Sequence, residues 1–353
     1  MRAMILAAGL GTRLRPLSAL RAKPALPVLG RPVISLLLEL LARHGVREVL
    51  INLHHLPETI RSAVAGDCPD GIEVEWSEEP RPLGTGGGIR RAADFLRGSP
   101  ECVVLAGDML FDADLAALAR THRRSGRGAT LVLRDDPRAD RFGSIGLDET
   151  GGIVRVGRRR VEGATRPEAR SGLFSGLRFF SRACLEGWPA AEAFEDLRDW
   201  LVPAIESAAI SAGGVLLPAS SSVWEPVGTP QEYLEANLDP PALPSLGGEA
   251  RRWSGPVDRL GPGDSVIVDR SARLGVDVQL ERCVVWDGER VADSATARDA
   301  VFAGGRFHPC TERASIQPGE TGAAEGLRTG RAAPAPSRDE TAERLRAGCG
   351  SEA

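Results

Sequence analysis

Residues 7–16 read AAGLGTRLRP and follow an apolar run near the N-terminus, so two glycines, a threonine and two arginines stand where a first strand would end. Backbone N–H groups of Gly9, Gly11 and Thr12 in such a turn could wrap a polyphosphate, with Arg13 adding positive charge. An ordinary tight turn explains the glycines alone. Two common phosphate loops are excluded by spacing. A dinucleotide turn wants G-x-G-x-x-G, but Leu14 holds its third glycine position, and the P-loop pattern G-x-x-x-x-G-K-[ST] is absent.

Of 44 basic residues, Lys23 alone is a lysine and all the others are arginine. A chain that uses arginine wherever a cation will serve keeps lysine where a broad guanidinium does not fit. Chance retention at an exposed position is the competing explanation. Lys23 lies in RAKPALPVLGRP, where Pro24 and Pro27 stiffen the segment. Gly107 and Asp108 end another apolar run, and a hard carboxylate there suits magnesium or caps a turn.

Composition narrows the partners. With 353 residues, 42% of them hydrophobic, the chain can bury a full core. Its formal charge of −4 offers no general basic surface for nucleic acid or an anionic membrane. No apolar stretch reaches the ~18 to 20 residues of a membrane span, and no cleavable leader is evident, so a cytoplasmic protein is expected. The six cysteines, Cys68, Cys102, Cys184, Cys283, Cys310 and Cys349, form no C-x-x-C pair and are expected to be free thiols.

The elements that must position these residues alternate. Strands are expected at 3–8, 48–53, 72–76 and 102–106, with helices from Pro32, over 57–64, over 89–96 and over 112–122. That order predicts a mostly parallel sheet covered on both faces, with ligands beyond the strand C-termini. AAGLGTRLRP and the Gly107–Asp108 pair would then line one crevice. From about residue 129 shorter β-rich pieces, at 130–133, 144–147, 153–156 and 173–180, suggest a covering lobe. Residues 197–212 and 230–237 look helical. Domain 1–240 should be followed by a Pro/Gly-rich linker over 241–263.

Hydrophobics then recur at about six-residue intervals: Val268, Leu274, Leu280 and Trp286, or Val266, Ala272, Val278 and Val284. This predicts a short hexapeptide β-helix over 264–310, with a small β-sandwich as the alternative. Residues 311–353 lack an apolar face and read as a disordered tail.

Five segments together resemble a known family, the sugar-1-phosphate nucleotidyltransferases: GLGTRLRPLSALRAKPALPVLGRPVI, PLGTGGGI, AGDMLFDADL, FSGLRFF and WEPVGTPQEYLEANL, in the family's order. The resemblance covers residues 1–240 and is greatest to mannose-1-phosphate or heptose-1-phosphate guanylyltransferases, and to uridylyltransferases acting on related sugars. It implies a Rossmann-like α/β domain, a nucleoside triphosphate and a sugar 1-phosphate as partners, and Mg²⁺ as cofactor; the six-residue repeat behind it is expected to be a short left-handed β-helix. By the same resemblance Arg13, Lys23 and Asp108 are catalytic. Ala8, Gly9, Gly11, Thr12, Gly84 and Thr85 hold the nucleotide. Gly143, Ser175 and Gly176 meet the sugar. Glu79 is placed to accept the two donors on the guanine edge, favouring GTP over UTP; surface glutamates in SEEPRP are the competing explanation.

The family pattern fails twice. A second metal carboxylate usually stands in W-x-D-x-G-T-P, where this chain has Pro226. Glu225, one residue earlier, is the available substitute, although a one-residue shift on an extended segment turns a side chain to the opposite face. The lysine that normally holds the sugar phosphate is missing, with Arg158, Arg159 and Arg160 nearby. His54 and His55 could touch substrate or brace a turn, and Trp224 could underlie the sugar or close the core. Pro226 also favours a silent regulatory subunit that binds a nucleotide sugar. An acetylating β-helix is disfavoured because no histidine falls within the repeats at 266–302. Self-assembly through the β-helix is expected instead.

Overall fold

The computed structural model describes residues 1–319 of the chain. Its centre is a ten-stranded sheet. Strands Glu73–Glu78, Glu48–Leu53, Arg2–Leu6 and Glu101–Ala106 lie side by side in parallel. The inner ones are almost continuously apolar because helices cover both their faces. Glu73–Glu78 (EVEWSE) is the outer strand, and its carboxylates protect that edge from pairing with another chain. The order reverses at Arg2–Leu6, which pairs with the second strand on one side and the fourth on the other. Such a reversal opens a crevice beyond the strand C-termini.

The long strand Arg170–Ser181 joins the sheet antiparallel to Glu101–Ala106 and carries the covering lobe: Ala129–Arg134, Ser144–Leu147, Ile153–Val156, Arg159–Arg160 and Ala212–Leu217. Helix Val33–Arg43 is apolar over most of its surface because it is buried between the sheet side and the turn Pro244–Leu246, with Glu39 and Arg43 paired on its outer face. Two expected helices differ. The one expected to begin at residue 112 starts at Leu115, capped by Asp114 whose side chain accepts from the Ala117 N–H, while Met109–Asp112 is a strand paired with Val223–Pro226. Residues 197–212 split into the turn Asp196–Leu201, helix Val202–Glu206 and the strand from Ala212.

The expected linker is built structure. Within 241–263 lie the turn Pro244–Leu246, the helical turn Ala250–Trp253 and the strand Val257–Leu260, with Trp253 only 1% exposed. Its indole anchors the segment, and the Gly255 N–H donates to the Leu29 carbonyl at 2.8 Å. Beyond it parallel pairs recur: Val266 faces Cys283 and Cys283 faces Ala300, Arg273 faces Arg290, and Gln279 faces Thr296. Each step is 17 residues, the same separation that joins Val276 to Asp293 and Arg282 to Asp299 by hydrogen bonds. Left-handed backbone recurs in the same register, at Asp277 and Ser294 and at Arg282 and Asp299. The strand Ser315–Gln317 pairs with Thr296–Arg298, so part of the expected tail is ordered; residues 320–353 lie outside the described residues.

This lobe is joined to the sheet domain by buried polar contacts. The Trp286 Nε1–H donates to the Tyr233 hydroxyl at 2.8 Å, and that hydroxyl donates to the Pro27 carbonyl at 2.6 Å. Arg21 pairs with Asp287 at 2.7 Å and stacks over the Trp286 ring. Among the described residues no helix is long and apolar enough to cross a membrane, and the five described cysteines are unpaired.

At the end of strand Ala129–Arg134, Asp136 is buried between the guanidinium groups of Arg134 and Arg138. Chiefly its hydrogen bonds to Arg138 hold its carboxyl down to about 2, against an ordinary value of 3.8.

Two outcomes test this packing. Tyr233→Phe leaves the Pro27 carbonyl and the Trp286 N–H unpaired inside the protein, so urea unfolding should show a loss of about 2–4 kcal/mol. An unchanged midpoint would show that the hydroxyl bridges nothing. Asp136 is more acidic folded than unfolded, so its contribution is full above pH 4 and fades as pH falls towards 2. Asp136→Asn should therefore lie about 2 kcal/mol below the parent at pH 7, with the pH-dependent part of that gap closing by pH 2.

Candidate active site

The first strand ends at Leu6, and the next N–H, of Ala7, donates to the Asn52 side chain at 2.7 Å. Asn52 ends the second strand opposite Leu6. The chain then turns through Gly9 and Gly11. Gly11 is left-handed at φ 61°, and a Cβ there would come within 3.0 Å of the Ser18 Cβ, so glycine is required. The Leu14 N–H and the Ser18 hydroxyl both donate to its carbonyl, at 2.9 and 2.7 Å. Leu14, fully buried, pins the turn and leaves Thr12 and Arg13 exposed. Nothing lies within 4 Å of a Cβ placed on Gly9. A ligand can approach that backbone closely.

Lys23 stands on the next turn, Lys23–Ala25, and its Nζ lies 2.6 Å from Asp108 Oδ2. Only 12% of the lysine side chain is exposed, against 44% of the aspartate. Pro24 packs beside Gly107, whose N–H donates to the Leu6 carbonyl at 2.9 Å, so the first and fourth strand ends are tied together. A Cβ on Gly228 would lie 3.7 Å from Lys23 Nζ and 3.9 Å from Arg13 Nη2. Arg13 therefore joins Lys23 from the rim.

Lys23 and Asp108 line a cleft of about 540 Å³, while Gly11, Thr12, Arg13 and Ser175 stand outside its lining. Ala8, Gly9, Lys23, Glu79, Gly84, Thr85, Asp108 and Gly176 all line it. A groove of about 840 Å³ lies elsewhere, against the C-terminal lobe. Both arginines on its walls are already paired, Arg21 with Asp287 and Arg31 with Asp67 and Glu39. The smaller cleft holds most of the signature residues and is the candidate site.

The glycines of PLGTGGGI have a packing cause. Helix Gly84–Arg91 receives the segment Phe194–Glu195 directly on its backbone: the Gly86 and Gly87 N–H groups donate to the Phe194 carbonyl at 2.9 and 3.2 Å. A Cβ on Gly84 would meet that oxygen at 2.6 Å, and one on Gly86 would overlap the Phe194 ring. The Thr85 hydroxyl sits 2.6 Å from Asp196 Oδ1 and 2.8 Å from Glu195 Oε2.

Several expected roles change. Glu79, 4% exposed, accepts from Asn52 Nδ2 at 2.7 Å and from the Leu83 N–H at 3.1 Å, so both its oxygens already brace the cleft wall. Ser175 is buried and donates to the Val132 carbonyl. Gly143, at φ 92°, ends the helical turn Ala139–Phe142 and does not line the cleft. His54 bonds the Glu79 carbonyl at 2.8 Å and His55 the Ser18 carbonyl at 2.7 Å, so both brace loops. Trp224 donates to the Ser175 carbonyl and packs edge-on to Phe142 in the core. Arg159 pairs with Glu206, and Arg159–Arg160 pair with Val156 and Arg155, away from the cleft.

Position 226 is where the missing carboxylate would stand. Pro226 faces Met109 across the strand pair, and the Val227 N–H donates to the Asp108 carbonyl at 3.0 Å. Proline has no donor to offer there. Glu225 does not replace it: its side chain points the other way and binds Arg138 at 2.8 Å. Among the described residues no group of three or more His, Cys, Asp or Glu could hold a metal.

The sequence reading missed Asn52, Arg178, Asp196 and Arg198, all on the cleft wall. Arg178 did leave a signal, a single charge inside the apolar run FSGLRFF.

Comparison with known proteins agrees with this geometry. Residues 2–241 match the nucleotidyl transferase family. The mannose-1-phosphate guanylyltransferase of Mycobacterium tuberculosis is 30% identical over 302 residues, 82% of this chain and 80% of that protein. A UTP–glucose-1-phosphate uridylyltransferase of Synechocystis is 30% identical over 67% of this chain and 62% of its own length. The crystal structure of HddC from Yersinia pseudotuberculosis complexed with GMP-PN shares the fold, with a TM-score of 0.55 and 24% identity over 67% of this chain and 97% of that one. With four of the five motifs lining one cleft, the chain belongs to the nucleotidyl transferase family, among the sugar-1-phosphate nucleotidyltransferases.

Proposed function

We propose that the chain transfers a nucleotidyl group from a nucleoside triphosphate, GTP in preference, to a sugar 1-phosphate of the mannose or heptose type, releasing pyrophosphate. The observation that carries this is the Lys23–Asp108 contact of 2.6 Å beside the open backbone at Gly9, at the paired ends of the first and fourth strands. A phosphate oxygen of the sugar 1-phosphate attacks the α-phosphorus. The new P–O bond forms as the bond to the β-phosphate bridge breaks, and pyrophosphate leaves with that electron pair. No proton has to move and no covalent enzyme intermediate is needed. The protein's work is to bring two polyanions together and to hold them in line.

Lys23 and Arg13 counter the phosphate charge, and the Gly9 turn lets the nucleotide approach the main chain. Magnesium held by Asp108 and the nucleotide's own phosphate oxygens would add charge neutralisation there. The preference for GTP rests on the relatives named guanylyltransferases, since Glu79 has structural duties. The Synechocystis relative keeps UTP as the alternative base. The 17-residue rungs of the C-terminal lobe support a short β-helix that mediates self-assembly. A cytoplasmic site of action accords with soluble, charged substrates.

A second reading has its own observation. Pro226 leaves a single carboxylate beside the phosphates, which favours a subunit that binds a nucleotide sugar without making it.

Pyrophosphate release with each common triphosphate against mannose, glucose, heptose and N-acetylated sugar 1-phosphates separates the two. Turnover should be found with GTP and mannose or heptose 1-phosphate and should require magnesium. Silence across the panel, with GDP-mannose still bound in calorimetry, establishes the regulatory reading instead. Lys23→Arg keeps the charge but not the shape, and should lower kcat by about 100-fold. Near-parental turnover would remove Lys23 from the reaction.

A further inference from the structure

Arg178 projects from the middle of strand Arg170–Ser181, where its neighbours Leu177, Phe179 and Phe180 are fully buried. It lines the cleft together with Gly176, Phe174 and Asp196. The side chains of Arg178 and Asp196 are 3% and 6% exposed, and Arg178 Nε lies 2.8 Å from Asp196 Oδ2. That approach is off-line, so charge meets charge without a hydrogen bond. Arg178 Nε and Nη2 and Asp196 Oδ2 are all buried without a hydrogen-bond partner. Only Nη1 is bonded, to the Gly176 carbonyl at 3.1 Å.

Burying an ion pair is costly, and polar atoms left without hydrogen bonds add to that cost. A pair kept for stability would be better replaced by apolar residues. A pair kept to bind something needs an occupant with matching groups. Here guanidinium donors and a carboxylate acceptor sit side by side with no net charge. A hydroxyl group is both acceptor and donor, so two ring hydroxyls can take hydrogens from Arg178 and give one to Asp196. An anion matches this pair poorly, because Asp196, and Glu195 beside it at Thr85, would repel it.

We infer that the Arg178–Asp196 pair is a hydroxyl-reading subsite of the cleft, which takes adjacent ring hydroxyls of the sugar and sets which sugar is accepted. The inference rests on the transferase reading for the sugar 1-phosphate as ligand. Thr85 orients the carboxylate through Asp196 Oδ1, and the segment Phe194–Asp196 is held rigidly on helix Gly84–Arg91. The readers are therefore fixed before the ligand arrives.

The test is calorimetry on the full chain with α-D-mannose 1-phosphate, its glucose and heptose counterparts, each monodeoxy mannose 1-phosphate, and GTP as a separate titrant. At least one deoxy analogue should bind the parent about tenfold or more weakly than mannose 1-phosphate. That penalty should disappear in Asp196→Asn and in Arg178→Met, while GTP affinity stays within about twofold. A purely structural pair could lower the melting temperature but could not erase a penalty tied to one ring position. Equal penalties in parent and variants overturn the inference, as does failure of all three sugar phosphates to bind the parent. Should the penalty depend on the pair while no triphosphate is turned over, the transferase reading falls and the subsite stands. Turnover with a pair-independent penalty keeps the transferase reading and removes the subsite.

Discussion

Positive charge must be gathered at one point of this molecule without folding the chain around a bare cation. The 2.6 Å contact between Lys23 and Asp108 meets that need. Each group neutralises the other in a half-buried position, Asp108 following the fourth strand and Lys23 standing on the turn Lys23–Ala25. The neighbouring backbone bond from Gly107 to Leu6 fixes the distance between the first and fourth strand ends. In the proposed reaction a polyphosphate entering beside Gly9 would meet a lysine already aimed and an aspartate able to share a divalent ion. The rest of the nucleotide half serves to keep those two ends in register.

On the opposite wall the constraint is close packing rather than charge. Helix Gly84–Arg91 is glycine-rich because another segment lies directly on its backbone, and side chains at Gly84, Gly86 or Gly87 would hold that segment off. The consequence is positional. Phe194 takes the space that Cβ atoms would have filled, and the carboxylates of Glu195 and Asp196 arrive at Thr85. The cleft thus has a cationic side formed by turns after strands and a hydroxyl-matching side formed by a packed helix.

The C-terminal lobe bears on the same machinery from behind. Asp287 and Trp286 hold Arg21, two residues before Lys23, and the Tyr233 hydroxyl holds the Pro27 carbonyl, four residues after it. The segment that presents the only lysine is therefore fixed on both flanks by buried or half-buried polar contacts. The region between the two lobes is packed structure around Trp253.

Local pattern carried the alternation of strands and helices, the signature turn, the lone lysine and the Gly107–Asp108 pair. Each is legible because it obeys a short-range rule: apolar periodicity, glycine in a left-handed turn, a carboxylate after a strand. The same rules showed that Pro226 lacks a ligand atom and that Glu225 faces away. They failed wherever a residue's task is set by what packs on it from afar. Glu79 became a brace because Asn52 and the Leu83 N–H claim its oxygens, and Ser175 was buried against Val132. The glycines of PLGTGGGI read as a ligand turn until Phe194, more than a hundred residues later in sequence, was seen to lie on them. Arg178 and Asp196 come from separate elements that no spacing connects. Sequence by itself determined the chemistry available at the strand ends, because those residues are neighbours along the chain. Only the tertiary structure decided which polar groups remain free for a ligand, because hydrogen-bond satisfaction depends on partners brought together by folding.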